Sequence, residues 1–266
     1  MNRIKVAVSG ANGKMGQEVL KMVINDPQLE LVAAIDLRSP AIDVGQVVGT
    51  DSIGVIFEND IEQALIRSQA DVLVDFTNPQ AVQNNVRTAI KYGVHPVVGT
   101  TGLPLEDIKE FDRLLKEQDL GGIFAPNFAI GAILMMRFAE QAAKYMPHVE
   151  IIELHHDQKI DAPSGTALKT AEMIKAQRNS LRQGLETEYE KIPGARGSEY
   201  DGFRIHSVRL PGFVAHQEVI FGSSGQILTI RHDSIHRESF MPGVNLAIKK
   251  VKDFIGAIYG LENLID

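Results

Sequence analysis

A chain of 266 residues, set against the roughly 150 typical of one domain, points to two modest domains. Its 27 basic and 34 acidic residues leave a net charge of -7, which argues against a nucleic-acid-binding protein or a polybasic membrane anchor, since both need concentrated positive charge. Cysteine is absent, so disulfide frameworks, iron–sulfur clusters, Cys-ligated zinc and thiol nucleophiles are excluded.

Residues 4–8, Ile-Lys-Val-Ala-Val, are short and β-branched and run into Ser9-Gly10, the pattern of a buried strand entering a turn. Met15, Val19, Met22 and Val23 then form one helical stripe that Asp26-Pro27 ends, and 29–35 is a second strand closing on Asp36. The connecting turn, Gly10-Ala11-Asn12-Gly13-Lys14-Met15-Gly16, sits where a strand opens into a helix. There, glycines let a pyrophosphate approach the backbone and a helix N-terminus offers unpaired N–H groups. Asp36 follows Gly16 by 20 residues, the place from which a carboxylate accepts hydrogen bonds from an adenosine ribose. The competing reading is a tight strand-to-helix turn beside a chance acid.

The grammar repeats along the first half. A strand over 71–76 precedes a helix with Pro79 in its first turn and Val82, Val86, Ala89 and Ile90 on one side. Pro96-Val97-Val98 leads into Gly99-Thr100-Thr101-Gly102, a helix near Pro104 carries Ile108, Phe111, Leu114 and Leu115, and 122–125 is a strand before Pro126-Asn127-Phe128. Such alternation predicts a parallel sheet covered on both faces, an α/β Rossmann-like domain with ligands outside the carboxyl ends of its strands. The longest apolar run, 128–136, stops at Arg137, short of the ~20 residues of a membrane helix, and 4–8 is interrupted by Lys5 and soon followed by glycines, so no apolar region of a signal peptide is expected. No membrane partner and a cytoplasmic location are expected.

After a helix through Ile133, Leu134 and Phe138 the grammar changes. A strand over 149–156, a helix over 165–176, a polar stretch over 178–201 read as a long exposed loop, and strands over 203–209, 215–221 and 226–233 follow. Ser223-Ser224-Gly225 marks a hairpin between the last two. Strands following strands predict an α+β domain with a four-stranded mixed sheet. Its helices would cover one face only, leaving either Val219 and Phe221 or Val214 and Ile220 for another subunit to bury. A last helix is expected over 244–255. The domain plan is 1–127, joined by 237–266, for dinucleotide binding, and 128–236 for substrate binding and oligomerisation.

The densest polar chemistry is His155-His156-Asp157-Gln158-Lys159-Ile160-Asp161-Ala162-Pro163-Ser164-Gly165-Thr166-Ala167. Adjacent strand residues face opposite ways, so His155 and His156 are poor joint ligands, and no metal site is expected. A histidine holds or delivers a proton near neutral pH, and Lys159 adds a compact positive charge. Exposed N–H groups where Pro163-Ser164-Gly165-Thr166 begins a helix, with the Thr166 hydroxyl, suit a carboxylate, whereas Ser164 read alone is a simple helix cap. By spacing, a small carboxylate is reduced by a nicotinamide.

The run HHDQKIDAPSGTA resembles the signature of the dihydrodipicolinate reductase (4-hydroxy-tetrahydrodipicolinate reductase) family of lysine and diaminopimelate synthesis, and the resemblance extends over essentially the whole chain. GANGKMG is similar to that family's nucleotide loop, GTTG to its nicotinamide-side loop and APNFAIG to its crossover segment. The resemblance implies NADH or NADPH as cofactor, contacted by Gly10, Ala11, Asn12, Gly13, Lys14, Met15, Asp36, Gly99, Thr100, Thr101, Ala125, Pro126, Asn127 and Phe128. It implies His155 and Lys159 as proton-handling residues, and His156, Gly165 and Thr166 as ligands of a dicarboxylate substrate. It also implies a homotetramer. Relatives with a basic residue directly after the acid differ here, where Leu37 precedes Arg38, so Asp36 and Arg38 pull nucleotide choice in opposite directions.

Other readings are a sugar or amino-acid dehydrogenase on a similar scaffold, or a non-enzymatic NAD(P)H sensor. A short-chain dehydrogenase is excluded, because none of Tyr92, Tyr145, Tyr189, Tyr200 and Tyr259 has lysine four residues on. His206, His216, His232 and His236 read as packing, surface or interface residues, and Arg231 and Arg237 as surface or structural ion-pairing residues, the other reading for each arginine being reach to a dianionic substrate.

Overall fold

In the computed structural model, which describes residues 3–38, 42–179 and 181–265, the chain divides into two compact units, Met1–Phe128 with Phe240–Asp266, and Ala129–Ser239. In chain order the first unit begins with β1 (Ile4–Ser9), α1 (Lys14–Asn25), β2 (Leu29–Ile35), α2 (Val44–Val48), β3 (Phe57–Glu58) and α3 (Ile61–Ser68). It continues through β4 (Val72–Asp75), α4 (Pro79–Lys91), β5 (His95–Val98), α5 (Leu105–Glu117) and β6 (Gly121–Phe124). The second unit holds α6 (Ile130–Ala143), β7 (His148–His155), α7 (Gly165–Gln177), β8 (Ser198–Tyr200), β9 (Phe203–Arg209), β10 (Ala215–Ser223) and β11 (Gln226–Ser234). The chain then returns to the first unit with α8 (Met241–Lys250) and β12 (Gly256–Tyr259).

The first unit is Rossmann-like: among the described residues its sheet has seven parallel strands in the order β12-β6-β5-β4-β1-β2-β3. Every residue of β4 and β6 is buried, as strands covered on both faces require. On one side Phe111 of α5 stacks on Phe124 of β6 with ring centroids 5.6 Å apart; burying a side chain of that size contributes about 1.5–3 kcal/mol. α4 starts where it does because the Asn78 side chain accepts from the backbone N–H groups of Gln80 and Ala81 and Pro79 needs no partner. α8 is fixed to α1 by Asp26, which accepts from Asn245 and Lys249, each at 2.7 Å. The strand order reverses between β1 and β4, and at that switch point the carboxyl ends of two neighbouring strands part and leave a crevice.

The second unit is α+β with a mixed sheet ordered β11-β10-β7-β9-β8; β7 and β9 run parallel and the other neighbours antiparallel. α6 packs on β10 and β11, and α7 on β7. That settles the open choice on β10: Val219 and Phe221 are fully buried, while Ile220 is half-buried on the opposite face, the one that also carries Ile152 and Leu154.

Three expectations are corrected. Among the described residues the sheet has five strands, because β8 lies inside the stretch read as an exposed loop. Polar residues do not preclude pairing at a sheet edge, and the same stretch carries a buried Arg178, stacked over Phe203 and donating to the carbonyls of Asp201 and Leu181. The last helix ends at Lys250; Val251–Asp253 tightens into a 3-10 turn, and Gly256, at φ +93°, takes a backbone conformation that suits glycine before β12. No helix among the described residues is long and apolar enough to cross a membrane.

Candidate functional site

In the first unit the glycine-rich turn is built by close backbone approach. Gly10 has φ +74°, its N–H and that of Ala11 donate to the Ile35 carbonyl, and Gly13 donates back to Gly10. Gly16 lies directly against the Gly10 carbonyl and Ala11, where a Cβ has no room. Asp36 closes the turn from β2: one carboxylate oxygen accepts from the Asn12 N–H at 3.1 Å and the other from the Arg38 N–H at 3.0 Å. Gly13 caps α1 without any side-chain hydrogen bond, so no side chain competes for the first N–H groups of the helix, where Lys14 and Met15 stand.

A cavity of about 360 Å³ opens here, lined by Gly10, Gly13, Asp36, Arg38, Phe76 and Thr77 among others. Gly99 packs so tightly against the Phe76 ring that a Cβ would overlap it. The Thr100 hydroxyl donates to the buried Asp75 at 2.7 Å and accepts from the Thr77 N–H at 2.8 Å, while Thr101 is exposed. Ala125 donates to the Val98 carbonyl, Pro126 is exposed, Asn127 is half-buried, and Phe128 packs against Phe76 with ring centroids 5.9 Å apart. A turn open to backbone approach, an uncapped helix start and a carboxylate at the end of β2 form a cradle of the right chemistry for a dinucleotide.

The second unit carries the remaining predicted residues. His155 ends β7, with Nδ1 2.5 Å from Oε2 of Glu153, a side chain wholly removed from solvent. Arg209 clasps the same carboxylate from β9, Nη1 to Oε2 at 2.9 Å and Nη2 to Oε1 at 2.7 Å. Burial pushes the Glu153 carboxyl up, but hydrogen bonds from His155, Arg209 and Ser207 outweigh it and bring the pKa down to about 2. Glu153 is therefore an anion at neutral pH.

Beyond His155 the chain turns. His156 is exposed and its carbonyl accepts from the Lys159 N–H; the Lys159 ammonium lies 2.6 Å from Asp161 Oδ1, whose carboxyl it holds below its ordinary value against some burial. Ser164 caps α7 by accepting from the Ala167 N–H at 3.2 Å. Capping is thus present, but it engages the third residue of the helix and leaves Gly165, exposed and with open space around it, at the helix start beside a half-buried Thr166. His155 and the Lys159 turn are brought together through Arg209, whose Nη2 also donates to the Asp161 carbonyl at 2.8 Å. Of the two later arginines set aside as ion-pairing residues, Arg231 pairs with Glu218 and Asp233.

Residues 4–128 match the family described as dihydrodipicolinate reductase, N-terminus, and residues 131–265 the family described as dihydrodipicolinate reductase, C-terminus. The chain belongs to the dihydrodipicolinate reductase family. It is 54% identical to a 4-hydroxy-tetrahydrodipicolinate reductase of Desulfitobacterium hafniense over 267 residues, covering 100% of both chains. It is 55% identical to one of Syntrophomonas wolfei over 263 residues and 99% of each. The solved structure of a dipicolinate-bound dihydrodipicolinate reductase from Paenisporosarcina sp. TG-14 matches with a TM-score of 0.89 at 46% identity, over 99% of this chain and 100% of that one.

Within this dihydrodipicolinate reductase fold, residues the sequence reading passed over stand beside predicted ones in each unit: in the second, Glu153 and Arg209 around His155; in the first, Asp75 and Thr77 around Thr100, with Asn85 donating to Asp75. Glu153 had a readable signal, since it lies two residues before His155 on a strand and so shares its face. Arg209 had none, because only the pairing of β7 with β9 sets it opposite His155.

Proposed function

We propose that this chain reduces 4-hydroxy-tetrahydrodipicolinate to tetrahydrodipicolinate with NADH or NADPH, in lysine and diaminopimelate synthesis. The observation that carries the reading is identity above 50% along the full length of reductases of that name, with HHDQKIDAPSGTA intact at the end of β7 and the start of α7. The first unit is the dinucleotide-binding domain, and the second the substrate-binding and oligomerisation domain. Gly10, Ala11, Asn12, Gly13, Lys14, Met15, Asp36, Gly99, Thr100, Thr101, Ala125, Pro126, Asn127 and Phe128 hold the nucleotide, which when bound supplies the hydride. His156, Gly165 and Thr166 hold the carboxylates of the substrate, at a helix start whose N–H groups and positive dipole favour an anion.

Proton handling falls to His155 at its free ring nitrogen and to Lys159, which also offers charge to a carboxylate. The net charge of -7 repels a dianion at long range, so these local donors supply the affinity. The enzyme works in the cytoplasm as a homotetramer, a role for which the second sheet has a suitable surface: its helix-free face carries half-buried Ile152, Leu154 and Ile220, and Ile227 is 76% exposed.

The test couples the protein to the preceding synthase, which condenses aspartate semialdehyde with pyruvate, and follows the loss of reduced-nicotinamide absorbance. Both nucleotides should be oxidised only when the condensation product is present, with NADH moderately preferred. Arg38→Ala should weaken NADPH selectively, because Asp36 favours ribose hydroxyls and Arg38 offers the 2'-phosphate a guanidinium. Absence of turnover with either nucleotide refutes the reading; an equal effect of Arg38→Ala on both refutes the role of Arg38.

A further inference from the structure

Glu153 is the most unusual side chain in the second unit: a carboxylate shut away from solvent on the helix-covered face of β7, between Ile151 and His155 in the strand's alternation. An isolated buried carboxylate is strongly unfavourable, and here it is matched by a two-pronged guanidinium from the neighbouring strand. Parallel register produces the arrangement. His155 pairs with Arg209, Glu153 with Ser207, and the Leu210 N–H donates to the His155 carbonyl at 3.1 Å, so strand pairing locks the acid, ring and fork into one cluster.

We infer that Glu153 and Arg209 are positioning residues that hold the His155 ring with its proton on Nδ1 and its Nε2 free, and that tie this ring to the turn bearing Lys159. The inference rests on the proposed reductase activity only for its kinetic consequence. A neutral imidazole has a single N–H, and which nitrogen carries it is set by the partner of the other. Glu153, an anion with a pKa of about 2, accepts and cannot donate, so the nitrogen facing it must be protonated. Nε2 has no hydrogen-bond partner among the described residues and is left as the nitrogen that exchanges a proton.

Arg209 performs two tasks. It neutralises Glu153, so that His155 is not required to be the counter-ion, and its Nη2 donates to the Asp161 carbonyl at 2.8 Å. Asp161 in turn holds the Lys159 ammonium through its carboxylate. One guanidinium thus sets the two proton-handling side chains in a common frame, and a lysine in its place would keep the charge but lose the fork.

The experiment is two-bond proton–nitrogen correlation spectroscopy of the full-length protein with ring-labelled histidine, at a pH where the His155 ring is neutral, the resonance being assigned by its loss in His155→Asn. The wild type should show the Nδ1–H form, and a wild-type Nε2–H form overturns the inference whatever the substrate proves to be. In Glu153→Gln, where one amide oxygen must serve both Arg209 and His155, the two tautomers should mix. In the coupled assay kcat should fall on the order of 10²-fold with the nucleotide KM nearly unchanged. Arg209→Lys should not restore turnover despite its charge. Wild-type kcat in both variants, or an unmixed tautomer in a folded Glu153→Gln protein, overturns the inference; a wild type with the Nδ1–H ring but no turnover sinks the substrate instead.

Discussion

At the scale of the residue, Glu153 couples stability to pH. Burial pushes its carboxyl up, and hydrogen bonds from His155, Arg209 and Ser207 outweigh that and hold it at about 2, against an ordinary value of 4.5. Between those two pH values the unfolded chain binds a proton that the folded chain refuses, so the stabilisation is complete above the ordinary value and drains away as the pH falls toward the lower one. The stability of the wild type to urea should therefore fall steeply from about pH 5 to about pH 2. Glu153→Gln should be less stable at neutral pH and flatter over the same acid range. Parallel pH dependences for the two proteins would show that Glu153 does not carry this linkage. His155, Lys159 and Glu153 lie within seven positions of one another and were accessible to a reader of sequence; Arg209 was not, because its contacts arise from strand register.

At the scale of the element, two glycines at helix starts have opposite reasons for being there. Gly16 lies in the first turn of α1, where an added Cβ would overlap the Gly10 carbonyl and Ala11, both backbone that cannot swing aside. Gly16→Ala should destabilise the protein by about 1–3 kcal/mol and weaken nucleotide binding, because the turn must open to admit the methyl group. Gly165 opens α7 with nothing near its Cβ position. Gly165→Ala should leave stability unchanged or raise it by up to about 1 kcal/mol through helix propensity, while impairing substrate binding. Denaturant midpoints and nucleotide titrations of both variants check the contrast, and equal stability losses would show that steric closeness does not distinguish the two. The elements themselves were legible in proportion to their apolar content. Val72-Leu73-Val74 announces a strand by itself, whereas β3, β8 and β12 are two to four residues long and exist because a neighbouring strand offers them hydrogen bonds.

At the scale of the whole molecule, the second sheet has helices on one face and, on the other, half-buried Ile152, Leu154, Val208 and Ile220, with Ile227 exposed at its edge strand. Charged pairs interrupt this face, among them Arg231 with Glu218 and His206 with Glu150 at 2.7 Å, which favours one register of docking over nonspecific aggregation. Light scattering should give a mass about four times the 29.2 kDa of one chain. Ile220→Asp, which places a charge on that face and leaves the helix-covered side untouched, should shift the protein toward smaller species. A stable monomer of the wild type at micromolar concentration, or a tetramer indifferent to Ile220→Asp, would exclude this face as the assembly surface.

The sequence by itself determined the Rossmann-like plan of the first half, through short β-branched runs alternating with amphipathic stripes, and the location of the polar chemistry, through a glycine turn and a histidine–lysine run contiguous in the chain. It also carried the family resemblance that the comparisons bear out over residues 4–128 and 131–265. Tertiary structure alone decided what lies between segments far apart in the chain. The addition of β12 to the edge of the first sheet, the choice between the two faces of β10 and the meeting of Arg209 with Glu153 are of this kind. The reason is physical: periodicity and turn chemistry record how a segment treats water and its own backbone, whereas register and edge pairing depend on which other segment offers a partner.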